Sequence, residues 1–142
     1  MSELTRTYPE RIAIRPMTRR VEAVMYPPGS KSITNRAFIL AAINGAKHCA
    51  ITSPLESEDT EVMLSSLGRL GYNFEADWSG GVVTFQSESA RDRQAPFAAQ
   101  SAEIFAGNSG TTMRFLTALV SLGSGRFRLD GVPRMRERPI ED

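Results

Sequence analysis

The chain carries one cysteine, one histidine and one tryptophan in 142 residues. A lone Cys49 excludes an internal disulfide framework and fits a reducing compartment. The single histidine, His48, stands next to it. A metal site needs more ligands than the sequence can gather. Neighbouring side chains on a strand point to opposite faces, which also argues against a nucleophilic Cys–His pair. Both residues are therefore assigned to structure. No apolar run reaches the roughly 18 residues of a membrane span. The opening MSELTRTYPERIAIRP has no apolar signal-peptide core, so the expectation is a cytoplasmic protein with no membrane partner. An excess of charge is missing too: 17 basic residues face 16 acidic ones, for a formal charge of +1. General nucleic-acid binding gets no support from that balance.

A repeated phrase is what the sequence does have. GSKSITNRAFILAAINGAK starts at Gly29 and GNSGTTMRFLTALVSLGSG starts at Gly107. In one ungapped alignment Gly29 falls on Gly107, Thr34 on Thr112, Arg36 on Arg114 and Gly45 on Gly123. Each copy reads as a glycine-and-hydroxyl turn, then an arginine, then a long apolar helix. Backbone N–H groups and a cation at a helix N-terminus make a place for an anion. Two such places point to a substrate with more than one anionic group.

The pattern around these phrases predicts an α/β chain in the order β-α-β-α-β-β, then β-α-β. Ile12–Ile14 and Val21–Met25 alternate weakly, as short strands do, and Pro27-Pro28-Gly29 breaks the chain. Ser32 to Ile43 is apolar nearly all round, which predicts a helix buried on several sides, with Gly45 as its stop. His48–Thr52 reads as a strand. Ser57 followed by Glu58, Asp59 and Glu61 is a helix start, with a side-chain cap and acids that suit the dipole. Met63, Leu67 and Leu70 stripe that helix and Gly71 stops it. Tyr72–Trp78 and Val82–Gln86 flank Ser79-Gly80-Gly81 as a hairpin. Residues 87–100 read as a surface loop. Ala102–Ala106, a helix from Thr111 to Leu122 and a strand at Arg126–Asp130 complete the second unit.

Three clusters carry the candidate chemistry. Lys31, Ser32 and Arg36 offer a point charge, a hydroxyl and a fork at the first turn; an anion site and a solvated, serine-capped helix start are both open for them. The glycine spacing does not match a nucleotide P-loop. Asn108, Ser109, Gly110, Thr111 and Thr112 form a small, polar turn. Gly110 lets a ligand approach the backbone, while Asn108 or Ser109 as a plain helix cap is the alternative. Arg134, Arg136 and Arg138 alternate between Pro133 and Pro139. Extended, they would aim three guanidinium groups at one cleft; otherwise they are a solvated run near Glu137 and Glu141.

PGSKSITNRAFILAA, GNSGTTMRFLTA and DGVPRMRERPI, in this order and spacing, resemble the 5-enolpyruvylshikimate-3-phosphate synthase family. The resemblance runs from about Val21 onward, and SEDTEVMLSSLGRLG fits it as well. It implies repeated β-α-β-α-β-β units of the enolpyruvyl transferase fold, arranged in two lobes with substrates between them. It implies transfer of the enolpyruvyl group of phosphoenolpyruvate to the 5-hydroxyl of shikimate 3-phosphate, in aromatic amino acid biosynthesis, with no cofactor and no metal. By position, Lys31, Ser32 and Arg36 would hold shikimate 3-phosphate, and Lys31 would also touch phosphoenolpyruvate as the catalytic residue. Asn108, Gly110, Thr111 and Arg138 would line the phosphoenolpyruvate site, where glyphosate also binds in this family. Arg114 would be structural or would stand just behind the residues that touch ligand. Phe115 and Ser109 depart from the proline and alanine common in the family. Residues 1–28 would be an N-terminal strand and hinge segment toward the other lobe. Residues 29–142 would be a partial substrate-binding lobe, with one unit to about 100 and a truncated second unit from about 101. The expected partner is the remainder of a synthase chain, and the fragment is expected to be inactive alone. Two rivals are a stand-alone anion- or nucleic-acid-binding module built on the arginine tail and a UDP-sugar enolpyruvyl transferase. The latter normally has Lys-Asn where this chain has Lys31-Ser32.

Overall fold

The computed structural model describes residues 9–44, 48–86 and 96–139. Among the described residues nine elements follow in order: α1 (Lys31–Asn44), β1 (His48–Thr52), α2 (Glu58–Arg69), β2 (Asn73–Asp77), β3 (Val82–Gln86), β4 (Ser101–Phe105), α3 (Gly110–Val120), β5 (Arg126–Asp130) and the single turn α4 (Pro133–Arg136). β1, β3 and β2 form an antiparallel sheet in that spatial order. β4 and β5 pair in parallel, Ser101 beside Arg126 through Phe105 beside Asp130. Parallel neighbours need a crossover, and α3 supplies it.

The helices close this arrangement because each presents an apolar face at helical spacing. On α2 that face is Met63, Leu64 and Leu67, continued by Leu70. It packs with Phe38 of α1, Leu116 and Leu119 of α3, Val83 and Phe85 of β3 and Ile104 of β4 in one core. Phe85 touches the rings of Phe38 and Phe74, with centroids 5.9 and 5.8 Å away. Phe97 meets Phe127 edge-on at 5.3 Å. α2 starts as expected: Thr60 N–H donates to the Ser57 hydroxyl, and Ser57 N–H donates back to Thr60 Oγ1 at 2.9 Å. It stops at Gly71, whose φ of 89° falls in the left-handed region. The hairpin between β2 and β3 is also as read. Its turn is held by Asp77 Oδ1, which accepts from the Ser79 hydroxyl at 2.7 Å and from Gly80 N–H at 2.8 Å.

Some expectations fail for identifiable reasons. Neither Ile12–Ile14 nor Val21–Met25 forms a strand. The first is flanked by Arg11 and Arg15, and the second runs Ala23, Val24 and Met25 together, so neither has a sustained one-sided apolar face. Among the described residues neither has a sheet partner, and a strand exists only by pairing. α1 is not buried on several sides. Thr34, Asn35, Phe38, Ala41 and Ala42 are buried, whereas Ile33, Leu40 and Ile43 are exposed. Among the described residues α1 packs with α2, α3 and β1, and Phe38, Ala41 and Ala42 are the apolar side chains this buries. The proposed stop at Gly45 and most of the 87–100 loop lie outside the described residues; 96–100 contain no helix or strand.

The segment entering α2 is held by side-chain hydroxyls. Leu55 N–H donates to Thr34 Oγ1 at 3.0 Å, and Thr60 Oγ1 donates to Leu55 C=O at 2.8 Å. Thr60 is fully buried. Replacing it with the isosteric valine removes the acceptor of Ser57 N–H and the donor to Leu55 together. Thr60→Val is expected to lower unfolding stability by about 2 kcal/mol, from the lost reciprocal half of the capping box and the two backbone groups left unpaired. Urea unfolding beside the exposed control Glu61→Gln measures this.

Candidate functional site

Three helix N-termini meet at one cleft of about 630 Å³. Lys31 is the first residue of α1, Glu58 and Asp59 open α2, and Gly110 and Thr111 open α3; all five line the cleft. The repeat-matched threonines produce this convergence. Thr34, in the first turn of α1, accepts from Leu55 N–H, while Thr112, in the first turn of α3, donates to Asp59 C=O at 3.4 Å. Both are buried. Each copy of the phrase thus docks its helix start on the segment that begins α2. Ser109 caps α3, its Oγ accepting from Thr112 N–H at 3.3 Å and donating to Thr112 Oγ1 at 2.8 Å.

The cleft carries charge of both signs. Lys31, Arg114 and Arg138 face Glu58 and Asp59. Lys31 Nζ lies 3.1 Å from Asp59 Oδ2, a half-exposed pair. Such pairs contribute about 0.2–1 kcal/mol, so an incoming anion can compete for the lysine at small cost. Arg138 closes the other side. Its guanidinium lies where a side chain at 110 would project: a Cβ on Gly110 would come 2.7 Å from Nη1. Glycine at 110 thus leaves room for the end of the Arg138 side chain, a matter of close approach and not of φ.

Of the residues singled out from sequence, Lys31, Asn108, Gly110, Thr111 and Arg138 line this one cleft. Ser32 and Arg36 do not. Arg36 lies further along α1, where its Nη1 donates to Ser32 C=O at 3.0 Å and its guanidinium sits 5.6 Å from the Phe115 ring centroid. Phe115, the departure from the common proline, thus joins α3 to that arginine by a cation–π contact. Arg114, read as structural or as standing just behind the ligand contacts, lines the cleft. Sequence reasoning gave Glu58 and Asp59 only a capping role; the pairing of Asp59 to Lys31 joins two helix starts and leaves no local signal. The lining residues Met113, Met135 and Pro139 carried none either.

The three tail arginines do not converge. Pro133 begins the short turn α4, with Val132 as its N-cap, and Met135 anchors it while almost fully buried. Proline at the first helical position is pre-set for this, so the segment is not extended. Arg136 instead turns back to Asp130, Nε to Oδ1 at 2.7 Å and Nη2 to Oδ2 at 2.8 Å. This guanidinium, then Gly131 N–H and the charge of Arg128, hold the Asp130 carboxyl at about 2, below its ordinary 3.8.

The chain is thus of a mixed α/β class in which repeated turn–helix units gather cations and helix starts at one cleft. Comparison with known proteins makes it specific. The profile of the family described as EPSP synthase (3-phosphoshikimate 1-carboxyvinyltransferase) matches residues 16–142. A 3-phosphoshikimate 1-carboxyvinyltransferase of Burkholderia cenocepacia is 45% identical over 115 residues, covering 81% of this chain and 25% of the relative. One of Paraburkholderia phytofirmans is 42% identical over 123 residues, covering 87% and 26%. Among solved structures, EPSP synthase from Acinetobacter baumannii superposes with a TM-score of 0.66 at 28% identity, covering 80% of this chain and 24% of that one. The chain belongs to the EPSP synthase family and has the enolpyruvyl transferase fold of its structural neighbours. It spans about a quarter of the length of the relatives it matches.

Two outcomes are expected from this geometry. Because the folded Asp130 pKa is depressed, its contribution to stability is fully present above about 3.8 and is lost as pH falls through about 2. A carboxyl-carbon NMR titration should show that midpoint, and Arg136→Gln should return it toward 3.8. Gly110→Ala should push the Arg138 guanidinium out of the cleft, because the flexible end of a side chain yields before backbone does. A crystal structure of the variant checks this; an unmoved Arg138 would contradict it.

Proposed function

We propose that this chain forms one wall of an enolpyruvyl-transfer site. The reaction joins the 5-hydroxyl oxygen of shikimate 3-phosphate to C2 of phosphoenolpyruvate, the hydroxyl proton leaving to a base while C3 gains a proton from an acid. The tetrahedral intermediate then loses a proton from C3 and phosphate from C2. Lys31, Asn108, Gly110, Thr111 and Arg138 are assigned to phosphoenolpyruvate. Lys31, Ser32 and Arg36 are assigned to shikimate 3-phosphate, with Lys31 between the two ligands and in contact with the reacting group. The observation that carries this reading is that Lys31 and Arg138, distant in sequence, flank the first turn of α3 in one cleft. A phosphate there receives backbone N–H groups, a point charge and a fork. That Ser32 and Arg36 lie outside this cleft fits two ligands better than one.

The remainder of a synthase chain is the proposed partner, supplying the opposite wall, acid–base carboxylates and the closure that excludes water. Residues 1–28 are read as the connection toward it. Exposed Ile12, Ile14, Val24 and Met25 support that reading, since apolar side chains so placed await a covering surface. On this view the 142-residue chain alone gives no turnover. The stand-alone module built on three converging arginines loses its basis, because Arg136 is engaged by Asp130.

In a full-length chain carrying this segment, Arg138→Ala should weaken phosphoenolpyruvate binding about 10- to 100-fold, the range of one or two charge-assisted hydrogen bonds. Its effect on shikimate 3-phosphate should be small. Arg36→Ala should show the reverse preference. Calorimetry with each ligand decides, and equal effects of both variants on both ligands would sink the division.

A further inference from the structure

We propose that Asp130 and Arg136 form a clasp whose role is to position Arg138 over Gly110 for the phosphoenolpyruvate anion; this rests on the reading of the site given above. Asp130 ends β5 and Arg136 ends α4, so the clasp closes the turn between them. Both ends of the carboxylate are used. Oδ1 accepts from Arg136 Nε at 2.7 Å and from Gly131 N–H at 2.7 Å, and Oδ2 accepts from Arg136 Nη2 at 2.8 Å. Arg128 Nη2 stands 3.8 Å from Oδ2 and adds charge on the far side. The paired, two-bond geometry fixes direction as well as distance, which a lysine at 136 would not reproduce.

The start of α4 has its own anchors. Val132 N–H donates to Gly107 C=O at 3.0 Å, and Met135 is buried against Ala106 and Met113. Its end holds mainly to the turn itself: Glu137 N–H and Arg138 N–H both donate to Met135 C=O, the latter at 3.2 Å, and the side chain of Arg136 ties it to Asp130 outside the turn. A single helical turn has little stability of its own. The direction in which the chain leaves α4, and with it the reach of Arg138 across Gly110, therefore depends on Arg136 being held. Arg136 does not line the cleft. It is a positioning residue, acting through Arg138.

The test compares Asp130→Asn, Arg136→Gln, Arg136→Lys and Arg138→Ala in a full-length chain carrying this segment, by steady-state kinetics with each substrate varied. Neither clasp substitution endangers folding: the Arg136 side chain is 62% exposed, and asparagine at 130 keeps an acceptor for Gly131 N–H. The expected result is a KM for phosphoenolpyruvate raised about three- to five-fold by Asp130→Asn and Arg136→Gln, the ceiling for an exposed ion pair. Arg136→Lys should fall between these and the parent, while kcat and the KM for shikimate 3-phosphate stay within two-fold, on the order of assay scatter. Loss of stability alone would not produce that split. If Arg138→Ala raises the phosphoenolpyruvate KM and the clasp variants leave it unchanged, the clasp is overturned and the site assignment stands. If Arg138→Ala also leaves it unchanged, the assignment fails and the clasp proposal falls with it.

Discussion

Everything in the cleft depends on how two helix starts are tied to a third. Thr34 accepts from Leu55 N–H and Thr112 donates to Asp59 C=O, so the segment from Leu55 to Asp59 is held from α1 and from α3. Thr60 completes the bond set by donating to Leu55 C=O. These hydroxyls are buried, where an unpaired backbone group costs about 1–3 kcal/mol. The pairing is therefore a directional constraint, and apolar packing is not. The core of Phe38, Met63, Leu67 and Leu116 brings the helices together; the threonines set the register in which their N-termini face a common space. The repeat in the sequence is thus a repeat of a docking interaction, and the gathering of helix starts and cations at one cleft follows from it.

That convergence would be self-repelling without the acids. Three helix starts each carry about +0.5 of partial charge, and Lys31, Arg114 and Arg138 add full charges. Glu58 and Asp59 offset both: they sit in the first turn of α2, where acids suit its dipole, and Asp59 also pairs with Lys31 at 3.1 Å. One position thus serves as capping-turn acid and as counter-ion. The weakness of a half-exposed pair matters here, since a strong one would hold the lysine against any ligand.

Much of the fold was legible because its signals are local. Ser57 before Glu58 and Asp59, Gly71 after Leu70, and Ser79-Gly80-Gly81 between alternating runs each act within a few residues, and each forms as read. The cleft was legible in part, since Lys31 and Gly110 came from the repeat, Arg138 from the arginine tail, and the family resemblance joined them. The illegible parts are non-local. Val21–Met25 needed a partner strand to be one. The apolar girth of α1 spoke of neighbours beyond those that pack on it here, where Ile33, Leu40 and Ile43 stay exposed. The Lys31–Asp59 pair joins residues whose approach is decided by threonines elsewhere.

The arginine tail shows how one residue changes such a reading. An alternating run in an extended chain points one way, but an α-helix turns by about 100° per residue. Residues two apart in a helical turn then lie nearly on opposite sides. Pro133, placed at the first helical position, commits the segment to that turn. Arg134 and Arg136 therefore cannot share a face. Asp130 engages the second, and Arg138, past the end of the turn, reaches the cleft. Three like charges in one small site would repel one another. The turn spreads them, leaving one fork beside Gly110 and using another to hold the backbone that presents it.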